Sequence, residues 1–133
     1  MSAERVIYVD SSAIVKLVVR EPESAALVQY LRRHRPSVSS VLARVEVERA
    51  CLPLGQQAIA RARDVLGRFD LVRINERVLA AAAELLPAEL LSLDAIHLAT
   101  AALFGKSLAA VITYDARMRD AARTQGFRVL APR

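Results

Sequence analysis

The sequence predicts an α/β fold in which helices flank a parallel sheet, and three observations carry that expectation. Two apolar runs without polar alternation, Val6–Val9 and Ala109–Thr113, suit strands buried on both faces. Strand-type and helix-type segments alternate from end to end, the order that a parallel sheet with crossover helices requires. The hydrophobic share is 54%, carried by Ala, Leu and Val with no Trp, which suits helices packed on a buried sheet. At 133 residues a single domain spanning 1–133 is expected.

Taken in order, Val6-Ile7-Tyr8-Val9 reads as a buried strand with Asp10 at its carboxyl end, the edge at which open α/β sheets bind ligands. Ser11 and Ser12 are N-cap residue types, and Ile14, Leu17 and Val18 follow at helical spacing. Pro22, as a first helical residue, opens a second helix through Leu27, Val28 and Leu31, which Pro36 stops after the cationic Arg32-Arg33-His34-Arg35. Ser37–Ser40 is a short strand. A helix capped by Ser40 follows over 41–51; its Val45-Glu46-Val47-Glu48 alternation alone would suit a strand, but the Ala- and Arg-rich flanks favour helix. On a helix, residues two apart point about 200° apart, so only one of Glu46 and Glu48 can face Asp10.

Leu52–Gly55 is a turn, 56–67 a helix, and Phe69–Ile74 an alternating, more exposed strand. Asn75 caps a helix running to Pro87. Ser92 caps another over 93–104, with Gly105 in the C′ role. Ala109–Thr113 is the second buried strand, Asp115 begins a helix ending at Gly126, and Phe127–Leu130 is the last strand.

The net charge of +5 favours an anionic partner such as nucleic acid. One cysteine, Cys51, excludes an internal disulfide, and His34 and His97 are too few for a zinc cluster, so any metal is held mainly by oxygen. No apolar run approaches the ~20 residues of a membrane span, and Met1–Arg5 leads straight into a strand without a signal-peptide core. A cytoplasmic protein with no membrane association is expected.

Four acids stand out. Asp10 and Asp115 follow the two buried strands, Asp94 lies in the first turn of an Ala-, Leu- and Ile-rich helix, and Glu46 is one of the two glutamates on the third helix. Each aspartate singly has a plain explanation, since a carboxylate at a helix start gains about 0.3–1 kcal/mol from the macrodipole. Capping does not explain why two buried strands of one small domain end this way. Carboxylates converging in a cleft must raise their pKa values or bind a cation. Oxygen-only ligation points to Mg2+ or Mn2+, which would activate water and stabilise a scissile phosphodiester, with Ser12 or Thr113 positioning water or phosphate.

At these residues the sequence resembles the PIN-domain nucleases, and within them the VapC-type toxins of bacterial toxin–antitoxin pairs. The matching motifs are Val9-Asp10-Ser11-Ser12-Ala13, Arg44-Val45-Glu46, Leu93 through Ala101, and Thr113-Tyr114-Asp115 followed by Ala121-Ala122. The resemblance implies a three-layer α/β/α fold with a central parallel sheet of four to five strands. It also implies an endoribonuclease using Mg2+ or Mn2+, the toxin of a type II toxin–antitoxin system. By the family pattern Asp10, Glu46, Asp94 and Asp115 are the catalytic and metal-binding acids, which chooses Glu46 over Glu48, and Ser12 and Thr113 give hydroxyl support. Such proteins form homodimers, act on RNA and are silenced by a cognate antitoxin.

Other residues have plainer readings. His97 is expected to pack at the cleft edge rather than ligate, Lys16 to be solvated, and Tyr8 and Tyr114 to fill core. Arg117, Arg119 and Arg123 would border the cleft and guide RNA phosphates. A phosphoacceptor receiver domain would need an acid pair after the first strand and a Lys near the last; here Ser11-Ser12 follows Asp10 and no such Lys exists. A catalytically silent interaction module on the same fold is the remaining alternative, against which the intact set of acids argues.

Overall fold

The computed structural model describes residues 5–133. Residues 1–4, most of the Met1–Arg5 stretch read above as leading directly into a strand, lie outside the described residues. Five strands, β1 (Val6–Val9), β2 (Ser37–Ser40), β3 (Asp70–Val72), β4 (Leu108–Ile112) and β5 (Val129–Leu130), form one parallel sheet in the order β3-β2-β1-β4-β5. Their connections are α1 (Ser11–Val18), α2 (Ser24–Arg33), α3 (Leu42–Cys51), α4 (Gln56–Leu66), α5 (Glu76–Ala83), α6 (Ser92–Ala102) and α7 (Ala116–Thr124). The expected three-layer α/β/α arrangement is observed, with five strands.

The two-residue period of a strand divides the core. Ile7 and Val9 of β1, with Ala110 and Ile112 of β4, face one layer and pack with Ala13, Ile14, Leu27, Val47 and Val65 of α1 to α4. Val6 and Tyr8, with Val111, face the other layer and pack with Val38 and Ala101. Leu98 of α6 continues that layer against Met118, Ala121 and Ala122 of α7. Because β1 is apolar on both faces, it can occupy the centre of the sheet.

The strand order also explains where a site can form. From β1 the chain proceeds outward through β2 to β3, then returns to the other side of β1 as β4. α1 packs on one face and α7 on the other, so the loops leaving β1 and β4 part in opposite directions and open a crevice between them. Asp10 stands at one lip and Thr113-Tyr114-Asp115 at the other, tied at the base by the Asp10 amide donating to the Ile112 carbonyl at 3.1 Å.

Several element ends differ from the sequence reading. Pro22 is not a first helical residue: it is the second residue of a turn closed by the Ser24 amide on the Glu21 carbonyl at 3.0 Å, a position its fixed φ favours, and α2 begins at Ser24. Ser40 belongs to β2, although its hydroxyl still accepts from the Leu42 amide at 3.1 Å. Ser92 is the first helical residue of α6, and Leu91 occupies the N-cap without a side-chain bond. α5 stops at Ala83 rather than Pro87, because the Glu84 and Leu85 amides turn to carbonyls three residues back and Leu85 packs instead under α7. Gly105 has the positive φ of +50° expected of a helix stop, but it lies two residues beyond the C-cap Leu103 and opens a short 3-10 turn.

Candidate active site

Asp10 is the N-cap of α1, with backbone in the extended region (φ −79°, ψ 174°) that lets its carboxylate fold back over the first turn. Its Oδ1 accepts from the Ala13 amide at 3.0 Å and from the Ser12 hydroxyl at 2.7 Å, while Oδ2 accepts from the Thr113 hydroxyl. An ionised carboxylate oxygen offers two lone pairs. Oδ1 is therefore filled, and Oδ2 retains one. The cap and ligand roles thus fall on different oxygens of the same side chain.

Ser12 and Thr113 lock the crevice as well as the carboxylate. The Ser12 hydroxyl accepts from the Tyr114 amide at 3.1 Å, and the Thr113 hydroxyl accepts from the Asp115 amide at 3.1 Å. The β1–α1 and β4–α7 turns are thereby joined by polar bonds across the gap. With their protons committed to Asp10, both hydroxyls orient that carboxylate.

The other acids follow the same pattern. Asp115 caps α7, its Oδ1 accepting from the Arg117 amide at 2.9 Å and lying 3.5 Å from the Met118 amide, which leaves Oδ2 unengaged among the described residues. Glu46 receives two donors on Oε1, Ser11 at 2.7 Å and His97 Nε2 at 2.6 Å. Its Oε2 has no described partner. Glu48, two residues on, instead pairs with Arg63 at 2.9 Å, so Glu46 is the glutamate that faces the crevice. Asp94, half-buried on the first turn of α6, makes no side-chain hydrogen bond among the described residues.

The other three acids each act electrostatically on Asp94. Burial pushes the Asp94 carboxyl up, and the charges of Asp115 and, more weakly, Asp10 and Glu46 push it further, against the opposing pull of His97. Asp10 is also raised: burial outweighs the bonds from Thr113, Ser12 and Ala13. For Glu46 burial acts upward too, but the bonds from His97 and Ser11 prevail and hold its carboxyl below the ordinary value. Among the described residues no three His, Cys, Asp or Glu side chains are close enough to form a finished metal cage.

Ser11, Glu46 and His97 lie within hydrogen-bond reach of one another and invite comparison with a nucleophilic triad. The geometry excludes it. In a triad the acid and the nucleophile occupy opposite ring nitrogens; here Ser11, at 3.3 Å, and Glu46 share Nε2, and Nδ1 is taken by the Tyr8 hydroxyl at 2.6 Å.

Two side chains escaped the sequence reading. Ser11 was expected only as a capping residue, yet it holds Glu46. Lys16 is not solvated: its side chain is 13% exposed, bonds Glu23 at 3.0 Å and lies 4.9 Å above the Tyr114 ring. Tyr114 in turn donates to the Pro132 carbonyl at 2.7 Å, and burial pushes its hydroxyl up to about 12. His97 is buried at the cleft edge as expected, and its place one turn after Asp94 on the same helix face was the available signal. Arg117, Arg119 and Arg123 are exposed on α7, with Arg119 bound to Asp120 at 3.1 Å.

A parallel α/β/α sheet that gathers acids at its central carboxyl edge is the arrangement of a PIN domain. The PIN domain model matches residues 7–124, and the chain belongs to that family. Within the family it is of the VapC type. It is 59% identical over 126 residues to ribonuclease VapC46 of Mycobacterium tuberculosis, covering 95% of this chain and 97% of that protein. Ribonuclease VapC47 of the same organism is 39% identical over 131 residues, covering 95% and 96%. Among solved structures, a toxin–antitoxin complex from Klebsiella pneumoniae superposes with a TM-score of 0.73 at 25% identity, covering 96% of this chain and 98% of that one.

Proposed function

We propose that this chain is the toxin of a type II toxin–antitoxin pair, an endoribonuclease that hydrolyses RNA phosphodiester bonds at a divalent-metal site formed by Asp10, Glu46, Asp94 and Asp115. The observation that carries the reading is the division of labour within the carboxylates: Glu46 and Asp115 each anchor one oxygen and leave the other open, Asp10 fills Oδ1 and keeps one lone pair on Oδ2 beside the Thr113 hydroxyl, and Asp94 is unengaged among the described residues. The ribonuclease names of the relatives support the substrate class, and the toxin–antitoxin neighbour supports the partner.

Asp10 Oδ2, Glu46 Oε2, Asp115 Oδ2 and Asp94 would hold Mg2+ or Mn2+ in part through water, because among the described residues no three converge directly, and oxygen ligands without a thiolate suit a hard cation. When bound, the cation supplies charge neutralisation and polarises the phosphate. The chain's own contribution is placement. Ser12 and Thr113 set the Asp10 plane, and Ser11 sets Glu46. Exposed Arg117, Arg119 and Arg123 on α7, the helix capped by Asp115, would draw the RNA backbone toward the site. The reading includes one PIN domain over 1–133, acting in the cytoplasm as a homodimer; among the described residues no helix is long and apolar enough to cross a membrane. A groove of about 570 Å3 between α2 and α4, with Val28, Leu31 and Val65 beneath Arg32, Arg61 and Arg68, gives the antitoxin a surface to cover.

The test uses the chain purified and refolded free of any partner. It should degrade structured RNA with added Mg2+ or Mn2+ and lose the activity with EDTA or with Asp10→Asn. Activity that survives Asp94→Asn and Asp115→Asn together overturns the proposal.

A further inference from the structure

We infer that His97, with Tyr8 on its other ring nitrogen, is the positioning residue that aims Glu46 at the crevice; this rests on the proposed role of Glu46 in that site. His97 is 2% exposed and Tyr8 fully buried, so neither meets solvent or reaches substrate. Their hydroxyl–imidazole bond at Nδ1 is 2.6 Å long, and the Ser39 and Thr100 side chains also lie against the Tyr8 hydroxyl. Glu46 Oε1 can only accept, so the 2.6 Å bond to it calls for a proton on Nε2. In the neutral ring Nδ1 is then left as the acceptor for the Tyr8 hydroxyl.

The consequence lies on the other oxygen of Glu46. With Ser11 also donating, both lone pairs of Oε1 are filled and only Oε2 can bind anything further. The carboxylate is presented in one orientation rather than rotating between two. The three supports come from different parts of the fold: Tyr8 from β1, Ser11 from the start of α1 and His97 from α6. Glu46 itself rides on α3, whose only polar ties into the crevice run through this side chain among the described residues. α6 therefore serves the site twice, carrying Asp94 on its first turn and the orienter of Glu46 on the next.

The decisive experiment is a double-mutant cycle on Mn2+ binding to the RNA-free protein, followed by the electron paramagnetic resonance signal of free Mn2+. Loss of a partner that orients a ligand lowers metal affinity or activity by about 10–100-fold, so His97→Ala should weaken Mn2+ by that factor and His97→Gln, which keeps an N–H donor, should recover most of it. In a Glu46→Ala background His97→Ala should change affinity by less than about two-fold, because the residue through which it acts is gone. Equal losses in both backgrounds, or no effect of Glu46→Ala itself, overturn the inference. A second readout needs neither metal nor RNA: nitrogen-15 shifts should show the Nε2–H tautomer of His97 in the wild type. An Nδ1–H tautomer in the wild type is equally fatal. Absence of RNA cleavage by a Mn2+-loaded wild type would sink the ribonuclease proposal while leaving the outcome of this cycle to stand for itself.

Discussion

Thr113→Val is the cleanest probe of how the crevice is held, because it removes a hydroxyl and keeps the shape. Thr113 is 2% exposed, and its hydroxyl lies 3.4 Å from that of Ser12 and bonds two further groups. It donates to Asp10 Oδ2, and it accepts the Asp115 amide at 3.1 Å. A hydrogen bond to a charged acceptor contributes roughly 1.5–3 kcal/mol, and a partly buried amide left without an acceptor costs about 1 kcal/mol or more. Together these give about 2.5–4 kcal/mol when Asp10 is ionised, or roughly 7–15 °C in Tm for a domain of this size. The loss should also depend on pH. Thr113 favours the charged form of Asp10, so once acid protonates Asp10 the bond matters less and the gap from wild type narrows. Urea unfolding of the metal-free protein at several pH values measures both, with Thr113→Ser, which restores the hydroxyl, as the control. A penalty below about 1 kcal/mol, or one independent of pH, would refute the reasoning.

Asp94→Asn should raise the stability of the metal-free protein, because burial and the Asp115 charge both disfavour the ionised carboxyl, while abolishing RNA cleavage; a loss of both stability and activity would argue against like-charge crowding there. The pH profile follows with its sign. Asp10 and Asp94 have raised folded pKa values, so ionising them destabilises the fold, and the metal-free protein should lose stability as pH rises from the ordinary aspartate value of 3.8 through their raised values. Glu46 is lowered and acts oppositely, its contribution being lost only as pH falls below the ordinary 4.5, and a divalent cation at neutral pH should cancel the Asp10 and Asp94 loss in a thermal melt. Leu98→Ala, at a fully buried position between α6 and α7, should cost about 2–5 kcal/mol by chemical denaturation through the cavity it leaves.

Strands and their order of burial were legible because β1 and β4 are apolar on both faces and nothing local competes with that signal. Helix ends were less so. Pro22, Ser92 and Gly105 each have the right chemistry for an end but sit one or two residues from where a hydrogen bond actually closes it, and residue type alone does not say which amide is left over. The acids at strand ends could be read from position, since a residue following a central strand has one place to be. Helix geometry alone left Glu46 and Glu48 open and the family resemblance chose Glu46; the partners that separate them physically, Ser11, His97 and Arg63, are between 15 and 51 residues away in sequence. Lys16 shows the same limit: a lysine on a short helix reads as solvated until Glu23 and Tyr114 close over it.

The density of function in Tyr8 to Ser12 follows from the change of period at Asp10. On the strand side alternate residues point to opposite layers, so Tyr8 reaches His97 while Val9 enters the other core. On the helix side successive residues turn by about 100°, so Ser11 and Ser12, though adjacent, address different carboxylates, Glu46 and Asp10 respectively. Asp10 sits at the junction, where an extended residue can cap the helix with one oxygen and face the crevice with the other. Exchange of the two serines for alanine one at a time is thus not equivalent. Ser12→Ala strips a donor from Asp10 and an acceptor from the Tyr114 amide, loosening the join between the two turns, whereas Ser11→Ala leaves Asp10 held and removes one of the two donors to Glu46.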